Sequence, residues 1–201
     1  MLYLYIIIIS ILIGLLRNGK LSSLSQISLE RIELILLACL IQAGLIFFGG
    51  KKVKFVLDYS SYMIIFSYIL LLLAVWYNLK LKEMKIIALG IIFNFIVIVA
   101  NGGHMPVLLN SLYKVGLNDF ALALKEGIYV THTLIAEKTL FRFLADVIPL
   151  PPPFPDPSVV SAGDFLMFYG VFSLIQNAMV KKQNSEIRNQ NSEDKALNSE
   201  I

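Results

Sequence analysis

Charge is the scarcest property of this sequence. Only 15% of its 201 residues are Asp, Glu, Lys or Arg, against 57% hydrophobic, and mean hydropathy is +0.75. Soluble domains carry about 25% charged residues. A chain this short of charge cannot cover a water-facing surface, and a bilayer is the solvent that suits it. Cysteine is nearly absent. Its single copy, Cys39, lies in an apolar run, so no intramolecular disulfide forms and paired-cysteine zinc sites are excluded. Histidine occurs twice, at His104 and His132, without an HExxH pattern, so neither a metal nor a cofactor is expected. The net charge of +3 is too small to point to nucleic acid.

Long apolar runs are what the sequence does have. Five stand out, near residues 2–16, 34–48, 59–77, 86–100 and 165–180. About 20 helical residues cross a bilayer core. The third run suffices alone, and the others need their flanks to complete a crossing. No run carries a charge, which argues against a proton pump or ion-coupled transporter with a relay inside the membrane. The opening MLYLYIIIISILIGLL has neither a basic segment before its apolar stretch nor a small-residue cleavage site, and is read as a first spanning helix. The expectation is an all-α, polytopic integral membrane bundle of about five transmembrane helices within residues 1–180, in contact with the lipid bilayer.

Lysine and arginine near helix ends set orientation. With the N-terminus outside, the inner segments hold ten: Arg17, Lys20, Arg31, Lys80, Lys82, Lys85, Lys181, Lys182, Arg188 and Lys195. The outer segments hold seven: Lys51, Lys52, Lys54, Lys114, Lys125, Lys138 and Arg142. The balance favours a multi-pass cell-membrane protein with its N-terminus outside and its C-terminus cytoplasmic.

The first connection, RNGKLSSLSQISLERIE, fits a short interfacial helix or a solvated loop equally well. The connection from 101 to 162 is far longer than ordinary loops and therefore expected to be functional. Within it, LNDFALALKEG predicts a short helix ended by Gly127, and THTLIAEKTLFRFLAD a second amphipathic piece on the outer membrane surface. Six prolines from Pro149 to Pro157 then exclude helix and predict extended chain. The polar tail, 181–201, repeats Asn-Ser-Glu every seven residues without an apolar seam and is expected to be disordered.

Candidate site residues gather in and beside this connection. Asn101, Gly102, Gly103 and His104 form a tight turn where the chain leaves the fourth run, offering an amide and free backbone N–H groups. As a purely structural feature, the same turn is a membrane exit. His132, between two threonines, and Arg142 follow on the amphipathic stretch. Asp164, with Ser161 as its cap, opens the last run, where a carboxylate also serves simply as a helix start. Asp146 has no such structural role. It lies among Phe143, Leu144, Val147 and Ile148, a setting that raises a carboxyl pKa on burial. The intervening prolines allow the chain to fold back. If the two carboxylates meet, they share a proton, one acting as base on a water and the other as acid to a leaving amine. Gln42 and Asn94, polar within apolar runs, are expected to bond between helices.

NGGHMPV, THTLIAEKTLFRFLADVIPLPPP and SAGDFLMFYGV, with GKLSSLSQISLER and the LLACLIQAG around Gln42, resemble an uncharacterised bacterial membrane family, domain of unknown function 5317. The resemblance reaches to about Val180. Ala145 departs from it, standing where that family often has glycine. It implies a bacterial inner-membrane protein and no particular activity.

The order and spacing of Asp146 and Asp164 also resemble lipoprotein signal peptidase, a membrane aspartic peptidase whose second catalytic Asp opens its last transmembrane helix. Asn101 and its glycines are loosely similar to that family's Asn-x-Gly motif. The Gly-Asn and Asp-Arg elements of that family are missing here, and residues 101–146 lack its two further spans. The expected function is therefore a bacterial membrane protein with an outward-facing site for a lipid or a partner transmembrane helix. The alternative is a membrane aspartyl hydrolase using Asp146 and Asp164.

Overall fold

In a computed structural model, which describes residues 2–127 and 129–181, every one of the five apolar runs is a helix. In chain order the helices are α1 (Leu2–Leu16), α2 (Ile32–Gly50), α3 (Lys54–Tyr77), α4 (Lys82–Ala100), α5 (Leu109–Lys114), α6 (Asn118–Lys125) and α7 (Ala162–Gln176). A wider π turn, Asn177–Lys181, continues α7. Apolar runs fold this way because a helix satisfies its own backbone groups without water. The flanks extend the second, third and fourth runs: α2, α3 and α4 are each long and apolar enough to cross a membrane. α1 is shorter, at 15 residues. The first connection forms a 3-10 turn, Leu21–Gln26. The tail from 182 onward, expected to be disordered, lies outside the described residues.

The bundle is apolar outside as well as within, unlike a soluble protein. Its outward faces carry large apolar side chains: Leu36, Leu40, Ile46 and Phe47 on α2 are 57%, 69%, 60% and 57% exposed. Its interior mixes apolar side chains such as Leu45, Ile64 and Ile98 with small and polar ones: Ser10 and Gly14 on α1, Ser60 and Ser67 on α3, Gly90 and Asn94 on α4, Gly163 and Gln176 on α7. Helices that associate in lipid pack through small residues and interhelical hydrogen bonds, since lipid already solvates the apolar faces. Gln42 Nε2 donates to Ser67 Oγ at 3.0 Å, joining α2 to α3, and Gln176 Nε2 donates to the Ser10 carbonyl at 2.6 Å, joining α7 to α1.

The long helices alternate in direction. At one end, Asn78 closes α3 by donating to the carbonyls of Ala74 and Glu30 at 2.7 Å each, and accepts from the Glu30 N–H at 2.9 Å. At the same end, Lys20 N–H donates to the Met179 carbonyl, and Asn177 bonds Glu83. At the other end, Gly103 lies so close to Ser61 that an added Cβ would sit 2.5 Å from the Ser61 Cβ. The 101–161 connection therefore covers the end at which α2 and α4 finish and α1, α3 and α7 begin.

This connection folds differently from two surface helices. LNDFALALKEG does form a helix, α6, and Gly127 follows it at φ +67°. THTLIAEKTLFRFLAD instead begins as a strand. β1 (Met105–Val107) pairs in parallel with β2 (His132–Leu134), with Met105 opposite His132. The β-branched Thr131, Thr133 and Ile135 favour this, and the strand supplies partners to β1: Met105 N–H donates to the Thr131 carbonyl and Ile135 N–H to that of Val107. The stretch then turns, and a 3-10 turn, Arg142–Leu144, leads to Asp146. The proline-rich stretch is extended only in part. β3 (Ile148–Leu150) pairs antiparallel with β4 (Ser158–Val160), and 151–157 folds the chain back between them. Pro149 fits because a two-stranded ladder has only edge strands, where a missing N–H is tolerated. The hairpin delivers the chain to the start of α7.

Candidate functional site

Asp146 is fixed by its backbone. Its N–H donates to the Pro106 carbonyl at 2.9 Å, and its carbonyl accepts from the Leu108 N–H at 2.9 Å, a parallel bridge to Val107. β1 thus has His132 paired on one side and Asp146 on the other. Side chains alternate along a strand, so Met105 and Val107 share a face. Their partners His132 and Asp146 share it too, and His132 Nε2 lies 3.5 Å from Asp146 Oδ2. The other ring nitrogen, Nδ1, is 2.8 Å from Thr131 Oγ1.

The Asp146 side chain is only 8% exposed, and its Oδ1 is buried with no hydrogen-bond partner among the described residues. Burial drives its carboxyl from the ordinary 3.8 to about 6; His132 pulls against this, and Asp164 adds to it.

Asp164 is held in the opposite manner. Ser161 is the N-cap of α7, and the two residues form a capping box. Asp164 Oδ2 accepts from the Ser161 N–H at 2.9 Å, and Ser161 Oγ accepts from the Asp164 N–H at 3.0 Å. Asn94 Nδ2 on α4 donates to Asp164 Oδ1 at 2.9 Å, and the Tyr3 hydroxyl on α1 approaches the same oxygen at 3.3 Å. Both oxygens of Asp164 are thus engaged.

The two carboxylates line one cavity of about 150 Å³. His132, Thr131, Asn94, Gln42 and Tyr68 supply its other polar groups. Ile46, Ile64, Ile98 and Met105 form its apolar wall. Carboxylates facing a small space, Asp146 buried and Asp164 half-buried, can accept hydrogen bonds from a ligand, hold a cation, or, with one protonated, orient a water.

Of the residues singled out from sequence, the fold brings Asp146, Asp164 and His132 to this cavity, with Ser161 directly behind Asp164. Others lie apart and are tied to backbone. Asn101 clasps Leu140: its Nδ2 donates to the Leu140 carbonyl and its Oδ1 accepts from the Leu140 N–H, both at 3.0 Å. Gly102 and Gly103, at φ +71° and +85°, make the exit turn. His104 follows them, and burial holds its pKa below the ordinary 6.5, partly offset by the Gly102 backbone. Arg142 donates to the carbonyls of Ala136, Glu137 and Thr139, closing that turn. Tyr3 and Tyr68 were not signalled by the sequence, because a tyrosine in an apolar run looks like any interfacial aromatic.

The sequence matches the profile of a family described as a family of unknown function (DUF5317) over residues 26–176, which takes in α2 to α7 and every residue of the cavity. An uncharacterized protein of Thermotoga maritima is 32% identical over 130 residues, covering 64% of this chain and 71% of that relative. No solved structure matches. The profile spans well over half of the sequence, and the chain belongs to this family of unknown function.

Proposed function

We propose that this is a multi-pass protein of the bacterial cell membrane, with five spanning helices, its N-terminus outside, and a site for the polar end of a lipid or partner segment beneath the 101–161 connection. Membrane residence is supported by three helices of spanning length and by the many large apolar side chains exposed on the bundle's outer faces. The basic residues, ten against seven, support the orientation. The reading of a binding site rests on one observation: Asp146 lines the cavity, and its buried Oδ1 has no hydrogen-bond partner among the described residues. An unmet buried acceptor is costly, and a bound donor relieves it. The test is native mass spectrometry of the full chain extracted with its surrounding lipid. A molecule retained by the wild type and lost from Asp146→Asn is expected. Identical spectra from the two proteins would sink the reading.

A second reading, membrane aspartyl hydrolase, is favoured by the convergence of two carboxylates on one cavity, one with a pKa near 6. Protonated Asp146 would serve as the acid to a leaving amine, and Asp164 as the base on a water. Cells carrying Asp146→Asn or Asp164→Asn should then accumulate an unprocessed lipoprotein precursor. Normal processing in both variants ends this reading.

A further inference from the structure

We propose that the cavity takes a primary ammonium group, the charged end of a small amine or of an amine-bearing lipid headgroup. This rests on the cavity being a ligand site, as read above.

The charge of the walls is the first ground. Among the described residues that line the cavity are two carboxylates, Asp146 and Asp164, and no lysine or arginine. An anion is repelled there and a cation attracted, the more so in a low dielectric. The second ground is independent of charge. The Asp146 side chain is more than nine-tenths buried, and its Oδ1 has no hydrogen-bond partner among the described residues. A carboxylate oxygen only accepts, so the ligand has to donate. Three donors around the cavity are already committed: the Asn94 amide to Asp164, the Gln42 amide to Ser67 and the Ser161 hydroxyl to Asn94 and Asp164.

An ammonium supplies three N–H donors; a quaternary amine supplies charge and none. Ile46, Ile64 and Ile98 suit the methylene stem of such a ligand. A divalent metal ion fits less well. Among the described residues no three His, Cys, Asp or Glu side chains form a metal-binding group, and hard cations seek about six oxygen ligands.

The experiment uses the full chain in phosphatidylglycerol nanodiscs at pH 8, titrated calorimetrically with ethanolamine, choline and inorganic phosphate. In parallel, native mass spectrometry reads retention of phosphatidylethanolamine against phosphatidylcholine. Ethanolamine binding or phosphatidylethanolamine retention is expected, without binding of choline or phosphatidylcholine. The first outcome assigns a free amine and the second a lipid headgroup. Asp146→Asn should weaken binding roughly tenfold or more. Asp146→Glu, which keeps the charge, should retain it and decides the matter if the Asn variant does not fold. Binding of phosphate, or choline binding as tight as ethanolamine, overturns the ammonium assignment and leaves the ligand site standing. Failure of every probe, with lipid retention unchanged in Asp146→Asn, overturns both.

Discussion

Asp146 and Asp164 line the same cavity, yet the protein engages their oxygens differently. Asp146 is buried with one oxygen near His132 and the other unpartnered among the described residues, and its pKa rises from 3.8 to about 6. A carboxyl that holds its proton more tightly when folded is stabilised by protonation. That contribution is full below about pH 3.8 and is lost as pH rises through about 6. Above this, with His132 of β2 and Asp164 of α7 as its charged or titratable neighbours, the ionised group costs on the order of 3 kcal/mol. Asp146→Asn should therefore raise the thermal midpoint at pH 8, with the gain vanishing near pH 4. A midpoint below wild type at pH 8 would show that the ionised carboxylate stabilises the fold. Asp164→Asn should act the other way. Its amide keeps one acceptor oxygen and turns the other into a donor, so either Ser161 or Asn94 loses its partner, worth about 1 kcal/mol. Its midpoint should fall at pH 8, and an unchanged value would mean the cap contributes nothing.

Among the elements, α4 and α7 cross closely, glycine against glycine. A Cβ on Gly90 would lie 2.5 Å from the Gly163 carbonyl oxygen, and one on Gly163 would meet Asn94 and lie 2.7 Å from the Gly90 carbonyl oxygen. Only glycine lets Asn94 reach Asp164 across this crossing. Gly90→Ala should cost about 1–3 kcal/mol by overpacking, measured by thermal unfolding in detergent. Gly44→Ala, whose nearest neighbour would be Phe48 at 4.0 Å, is the matched control and should be close to neutral. Equal midpoints for the two variants would refute a tight crossing. The helices were legible because an apolar run that must satisfy its own backbone has one local answer. The crossing was not, since Gly90 in an apolar run looks ordinary until its partner, far along the chain, is known. Nor was β2: the apolar spacing of THTLIAEKTLFRFLAD suits an amphipathic helix, and only pairing with β1 settles the strand.

At the scale of the whole molecule, the proposed orientation makes a direct prediction. In a Cys39→Ser background, Glu137→Cys should react with an impermeant maleimide on intact spheroplasts, and Ser25→Cys only after the membrane is opened. The reverse pattern would invert the topology. The sequence pointed to both aspartates and to His132, because charge and histidine are conspicuous in so apolar a chain. It did not show that Asn101 and Arg142 are spent holding backbone at Leu140 and at 136–139, since such bonds depend on where the loop returns.

The bond from Asn94 to Asp164 spans 70 residues of sequence. At synthesis rates of about 5–20 residues per second, Asn94 precedes Asp164 out of the ribosome by about 4–14 seconds. During that interval α4 carries an unmatched amide, and a chain halted before α7 never finds its match. Truncated forms should thus be marked for quality control by α4 itself.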